Sequence, residues 1–91
     1  MPRNAAKKIV VGRVQTGVRI EKSLLKVLKA LAEHKDMTLG DLLEGIVLHA
    51  FEGKAPFAQD TLEHIRALKK IYGLNLSAAA SHKMTEKADE R

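Results

Sequence analysis

The chain has no cysteine and no tryptophan, and its aromatic residues are two phenylalanines and one tyrosine. Without cysteine there is no disulfide and no thiolate metal site, and the absence fits a reducing compartment. With so few aromatics, the core must be built from Leu, Ile, Val and Ala. No apolar run approaches the roughly 20 residues of a membrane span. The apolar run 9–11 that follows the basic start is too short for a signal peptide. A cytoplasmic protein is expected. Glycine-rich phosphate loops are missing, and no serine, histidine and acid are arranged as a nucleophile with its base. An enzyme is therefore not expected, nor a cofactor. His34, His49, His64 and His82 do not stand at ligand spacing. Asp60 and His64 do, at i and i+4, but two ligands on one short helix make a poor metal site.

Ninety-one residues make one small domain. Chains of this size usually need a staple, and with disulfides excluded the expected staple is a second copy of the chain. The charge, +5 overall, is unevenly spread. Residues 1–20 hold Arg3, Lys7, Lys8, Arg13 and Arg19 and no acid, whereas residues 36–53 hold Asp36, Asp41, Glu44 and Glu52 and no Lys or Arg. A basic end beside an acidic middle suits an oriented binder of polyanions; a solvated basic tail is the plainer reading.

In chain order, residues 1–12 read as a flexible basic arm. From Val10 the pattern alternates. Val10, Val14, Thr16, Val18 and Ile20 fall on one side, and Arg13, Gln15, Gly17 and Arg19 on the other, which predicts a strand over 13–20. Gly12 and Gly17 weaken it. No second strand-like run exists in the chain, so this one is expected to pair with its copy in another molecule.

Two amphipathic helices should follow. The first carries Leu24, Leu25, Val27, Leu28, Leu31 and Ala32 on one stripe and opens at a cap on Glu21 or Ser23. Thr38 is a good N-cap for the second, with Asp41 three residues on and a Met37–Leu42 staple. Leu39, Leu43, Ile46 and Ala50, widened by Leu42, Val47 and Phe51, form a band broad enough for both the first helix and a partner subunit. Gly40 and Gly45 each cost about 1 kcal/mol relative to Ala, so close packing is expected there. Gly53 suits a left-handed C-cap. Segment 54–73 is expected to hold a third helix with Asp60 as its N-cap, Glu63 three residues on and Gly73 closing it, with Leu74 folding back on Leu68. Residues 74–91 show little burial pattern beyond Leu76 and read as mostly disordered.

Val18-Arg19-Ile20 running without a loop into Leu24, Leu28, Leu31 and Ala32, and then Met37-Thr38-Leu39, resembles the ribbon-helix-helix (MetJ/Arc-type) repressor superfamily over roughly residues 13–53. The resemblance implies a mainly α fold in which one N-terminal strand pairs antiparallel across a homodimer, with a third C-terminal helix added here. It implies a ribbon in the DNA major groove, with base contacts at Arg13, Gln15, Gly17 and Arg19. Arg pairs with guanine and Gln with adenine in that groove; Gly17, where the family presents a polar side chain, is a departure. The resemblance also implies a phosphate held at the start of the second helix by the amides of Thr38, Leu39 and Gly40, an anion site by dipole and free N–H groups. An ordinary capped helix is the plainer reading, and Asp41 disfavours an anion. Arg3, Lys7, Lys8 and Lys22 are phosphate neighbours on this reading, while Lys26 and Lys29 suit a solvated face.

The implied dimer core is Val18, Ile20, Leu28, Leu31, Leu39, Leu43, Ile46, Val47 and Ala50. The expected function is sequence-specific binding of double-stranded DNA by a homodimer, repressing transcription. The alternative is an antitoxin-type module whose residues 54–91 grip a partner protein. A dimer that has lost DNA binding and only scaffolds is a third reading.

Overall fold

A computed structural model describes residues 8–88. Three helices follow an extended N-terminal segment: α1 (Lys22–His34), α2 (Leu39–Phe51) and α3 (Gln59–Tyr72), with one 3-10 turn at Ala78–Ala80. The first helix is central. α2 and α3 each pack on α1 and not on one another.

The anticipated strand and its ribbon are not present: among the described residues there is no β-strand, and residues 8–21 are extended without a ladder. The mainly α class stands. The alternation of Val10, Val14, Val18 and Ile20 satisfies the side-chain period of a strand, but a strand also needs a neighbour to take its N–H and C=O groups. Among the described residues there is none, and Gly12 and Gly17 lower the local preference further.

Helix boundaries follow from capping chemistry. Glu21 opens α1: its carboxylate accepts 2.8 Å hydrogen bonds from the Leu24 N–H and the Ser23 hydroxyl, which hold its carboxyl below the usual value, the Leu24 bond foremost. Thr38 opens α2 by accepting from the Asp41 N–H at 3.0 Å. The start of α3 differs from expectation. Ala58 is its N-cap, without a side-chain bond, and Asp60, already inside the helix, accepts from the adjacent Thr61 N–H instead. At the other ends, Gly53 and Gly73 take left-handed φ values of 71° and 70°, and the Lys54 and Leu74 N–H groups reach back to His49 and Lys69 carbonyls, as in a Schellman turn.

The end of α1 uses the same turn without glycine. Asp36 has φ 56°, and the Asp36 and Met37 N–H groups bond to the carbonyls of Glu33 and Ala32. A left-handed aspartate is tolerated but strained. Asp36→Gly should therefore raise the urea midpoint, by up to about 1 kcal/mol of stability; a lower midpoint would show that the Asp36 side chain contributes more than its backbone costs.

Val27, Leu31 and Ala32 of α1, Leu42 of α2, Leu68 of α3 and Leu74 just beyond it form the buried core, with Leu24, Leu28, Met37, Ile46, Ile65 and Leu76 packed around it. Leu74 folds back into the same cluster as Leu68, as its place after Gly73 implies. α2 buries only Leu42 fully. Its remaining apolar side faces outward: Val47, Leu48 and Phe51 are exposed, Phe51 at 81%.

Candidate nucleic-acid interface

Residues 8–21 lie over the outer surface as an extended chain. Lys8, Arg13, Gln15, Gly17 and Arg19 are all exposed, as is Lys22 at the start of α1; Arg3 and Lys7 lie outside the described residues. On the opposite side of the alternation Val10, Val14 and Val18 are 93%, 89% and 73% exposed, so nothing among the described residues covers that row. Ile20 is half-buried.

Two long-range ion pairs anchor the segment. The Arg13 guanidinium forks onto Glu44 of α2, donating from Nε at 2.8 Å and from Nη2 at 2.7 Å. Arg19 forks likewise onto Glu86, donating from Nε at 2.8 Å and from Nη2 to the second oxygen. Planar guanidinium and carboxylate match edge to edge, which gives such pairs their directional preference. Both arginines hold their partner carboxyls below the ordinary value, chiefly through these hydrogen bonds. A lowered carboxyl pKa means the anchoring is complete above the usual carboxylate range and is lost as pH falls through the lowered value. Neutral solution leaves both carboxylates ionised.

Sequence reading placed Arg13 and Arg19 on one face but missed their carboxylate partners. The available signal was the crowding of acids into residues 36–53, which hold Glu44; Glu86 has no such local signature. Arg13 also feels Asp41 electrostatically, so the basic segment and the first turns of α2 are neighbours. At that helix start Thr38 and Gly40 are exposed and Leu39 is half-buried.

The anticipated dimer-core residues separate into two groups. Leu31, at 2% exposure, belongs to the chain's own core, and Leu28 and Ile46 pack against it. Leu39 and Leu43 are half-buried, while Val18, Val47 and Ala50 are exposed. Gly40 and Gly45 have nothing within 4 Å of where a Cβ would stand, so no packing within the chain requires glycine at either. Gly45→Ala should stabilise the isolated fold by about 1 kcal/mol through helix propensity, read from chemical denaturation at low protein concentration. A loss instead would show that a neighbour approaches the helix backbone there.

Sequence spacing also hid one histidine contact. His34 at the end of α1 and His64 of α3 stack with ring centroids 3.9 Å apart. Among the described residues no group of three or more His, Asp or Glu gathers in metal-binding geometry, and no helix is long and apolar enough to cross a membrane.

No family model, curated protein or solved structure matches this chain. Its function must therefore be argued from the side chains themselves.

Proposed function

We propose that the protein binds double-stranded DNA sequence-specifically as a homodimer and represses transcription by occupying its site. The observation that carries this reading is the extended, exposed run from Lys8 to Arg19, which displays Arg13, Gln15 and Arg19 within a stretch of residues 1–20 that contains no acid. Extended chain fits within a DNA groove, where Arg and Gln carry the donors that distinguish guanine and adenine. Lys8 and Lys22, with Arg3 and Lys7, add phosphate contacts that position the segment. The α2 amides at Thr38, Leu39 and Gly40 supply a dipole-favoured place for a further phosphate. Each copy contributes one such segment, and the outward apolar side of α2 around Leu43, Val47 and Phe51 is the surface on which two copies meet.

Anisotropy titration of a labelled duplex with the full chain tests this. Arg19→Ala should flatten the preference among duplex sequences, whereas Lys8→Ala should weaken all duplexes alike. Failure of any duplex to bind at low salt would remove the reading.

The antitoxin-type alternative draws on Ile71, 70% exposed near the end of α3. However, Leu68 and Leu74 are buried against α1, so α3 is first of all part of this chain's own fold. Deleting residues 54–91 should accordingly abolish folding rather than leave an intact dimer that lacks one partner.

A further inference from the structure

Arg19 and Glu86 are 67 positions apart in the chain, yet their side chains meet in a two-point fork across the surface. The stretch Met84–Lys87 lies alongside Val18–Lys22 and Leu25, and together they enclose an open cleft of about 900 Å³. Met84 faces the same cleft as Val18, Ile20 and Leu25, so the C-terminal stretch approaches the basic segment with an apolar residue as well as a carboxylate. The contact occupies the Nε and Nη2 edge of Arg19. A guanidinium reads the O6 and N7 of guanine, or two phosphate oxygens, with a two-donor edge of this kind. Glu86 and a nucleic-acid acceptor therefore compete for one set of donors.

We propose that the C-terminal stretch 84–87 is an intramolecular competitor for DNA, with Glu86 standing in for the acceptor at Arg19 until a duplex displaces it. This rests on the DNA-binding reading above. The two anchored arginines differ in how they can be released. Glu44 is fixed in α2, so Arg13 must swing away from a helix, whereas Glu86 lies beyond the last helical turn at Ala78–Ala80 and can leave with its own segment. Both partners of the Arg19 pair are largely exposed, Arg19 at 82% and Glu86 at 52%, and exposed pairs are weak. The competitor consequently tunes affinity rather than abolishing binding. A duplex that engages Arg19 must first break the pair, so the cost falls on duplexes that offer Arg19 a good acceptor.

The test compares the full-length chain with Glu86→Gln and Glu63→Gln. Glu63, exposed on α3, gives the same change in net charge away from the contact. Two readouts are used: the Arg19 Nε–H resonance in a nitrogen–proton correlation spectrum without DNA, and anisotropy titration with a labelled duplex at low salt. Glu86→Gln should shift the Arg19 resonance and tighten duplex binding by roughly two- to fivefold beyond Glu63→Gln. An unmoved Arg19 resonance overturns the contact itself. A moved resonance with equal affinities for the two variants overturns the competition while leaving DNA binding in place. If none of the three proteins binds any duplex, the DNA-binding reading fails and this inference fails with it.

Discussion

Replacing Leu31 with alanine should cost about 2–5 kcal/mol and shift the urea midpoint down by roughly 2 M, or leave no cooperative transition. The reason is position. Leu31 is 2% exposed and stands among Val27, Ala32, Leu42, Leu68 and Leu74, at the point where α2 and α3 are both held to α1. Domains of this size hold only about 5–14 kcal/mol in total, so one cavity here removes a large share. Phe51→Ala, a larger deletion in atoms, should cost within about 0.5 kcal/mol in dilute solution because Phe51 is 81% exposed. Its effect should grow with protein concentration if copies meet on α2, since a partner that binds only the folded state adds stability by mass action. Equal losses at Leu31 and Phe51 in dilute protein would contradict this division between core and interface.

The second large effect is on DNA affinity. With about six phosphates neutralised by a dimer, raising salt from 50 to 200 mM should weaken binding on the order of 10³-fold, because each neutralised phosphate releases condensed counterions. The cations concerned are Lys8 and Lys22 of each copy, with Arg3 and Lys7. Removing Lys8 and Lys22 together should reduce the slope of log affinity against log salt, as each lost phosphate contact lowers it by roughly one. A slope near zero for the unaltered chain would mean that its basic end is only a solvated surface. The Arg–Glu anchors predict one asymmetry between the two arginines: Arg13 loses a rigid partner on α2 when it turns to DNA, and Arg19 a movable one.

Much of the helical part could be read from local chemistry. The Leu24–Leu28–Leu31 stripe, the Thr38 cap and the terminal glycines at 53 and 73 all depend on residues within a turn of each other, and each stands where the pattern placed it. The start of α3 did not follow the pattern, because Asp60 bonds to its own neighbour and the helix begins two residues earlier, at Gln59 after Ala58, without a side-chain cap. The strand was misread for a different reason. Period-two alternation reports which side chains share a face, but hydrogen-bonded pairing depends on a partner that no single-chain pattern supplies.

Of the proposed interface, the alternation puts Arg13, Gln15 and Arg19 on one side; all three are exposed, but so are Val10, Val14 and Val18 on the other. The carboxylate partners of the two arginines could not be read, because an ion pair between residue 19 and residue 86 leaves no trace in any window shorter than the chain. The same holds for His34 against His64. Burial of Leu31 in this chain's own core rather than between copies also depends on α3, whose docking on α1 the apolar pattern of residues 62–72 permitted but did not specify.

On the proposed function, this basic segment, presented twice by a homodimer, recognises duplex DNA by sequence. Selection of bound duplexes from a random pool by the full chain at near-physiological salt tests it most directly. The account predicts an enriched site with two inverted half-sites, as a two-fold symmetric reader requires, and loss of that enrichment in Arg13→Ala/Arg19→Ala. A pool that emerges unenriched, or retained no better than by a lysine-rich control protein, would contradict it.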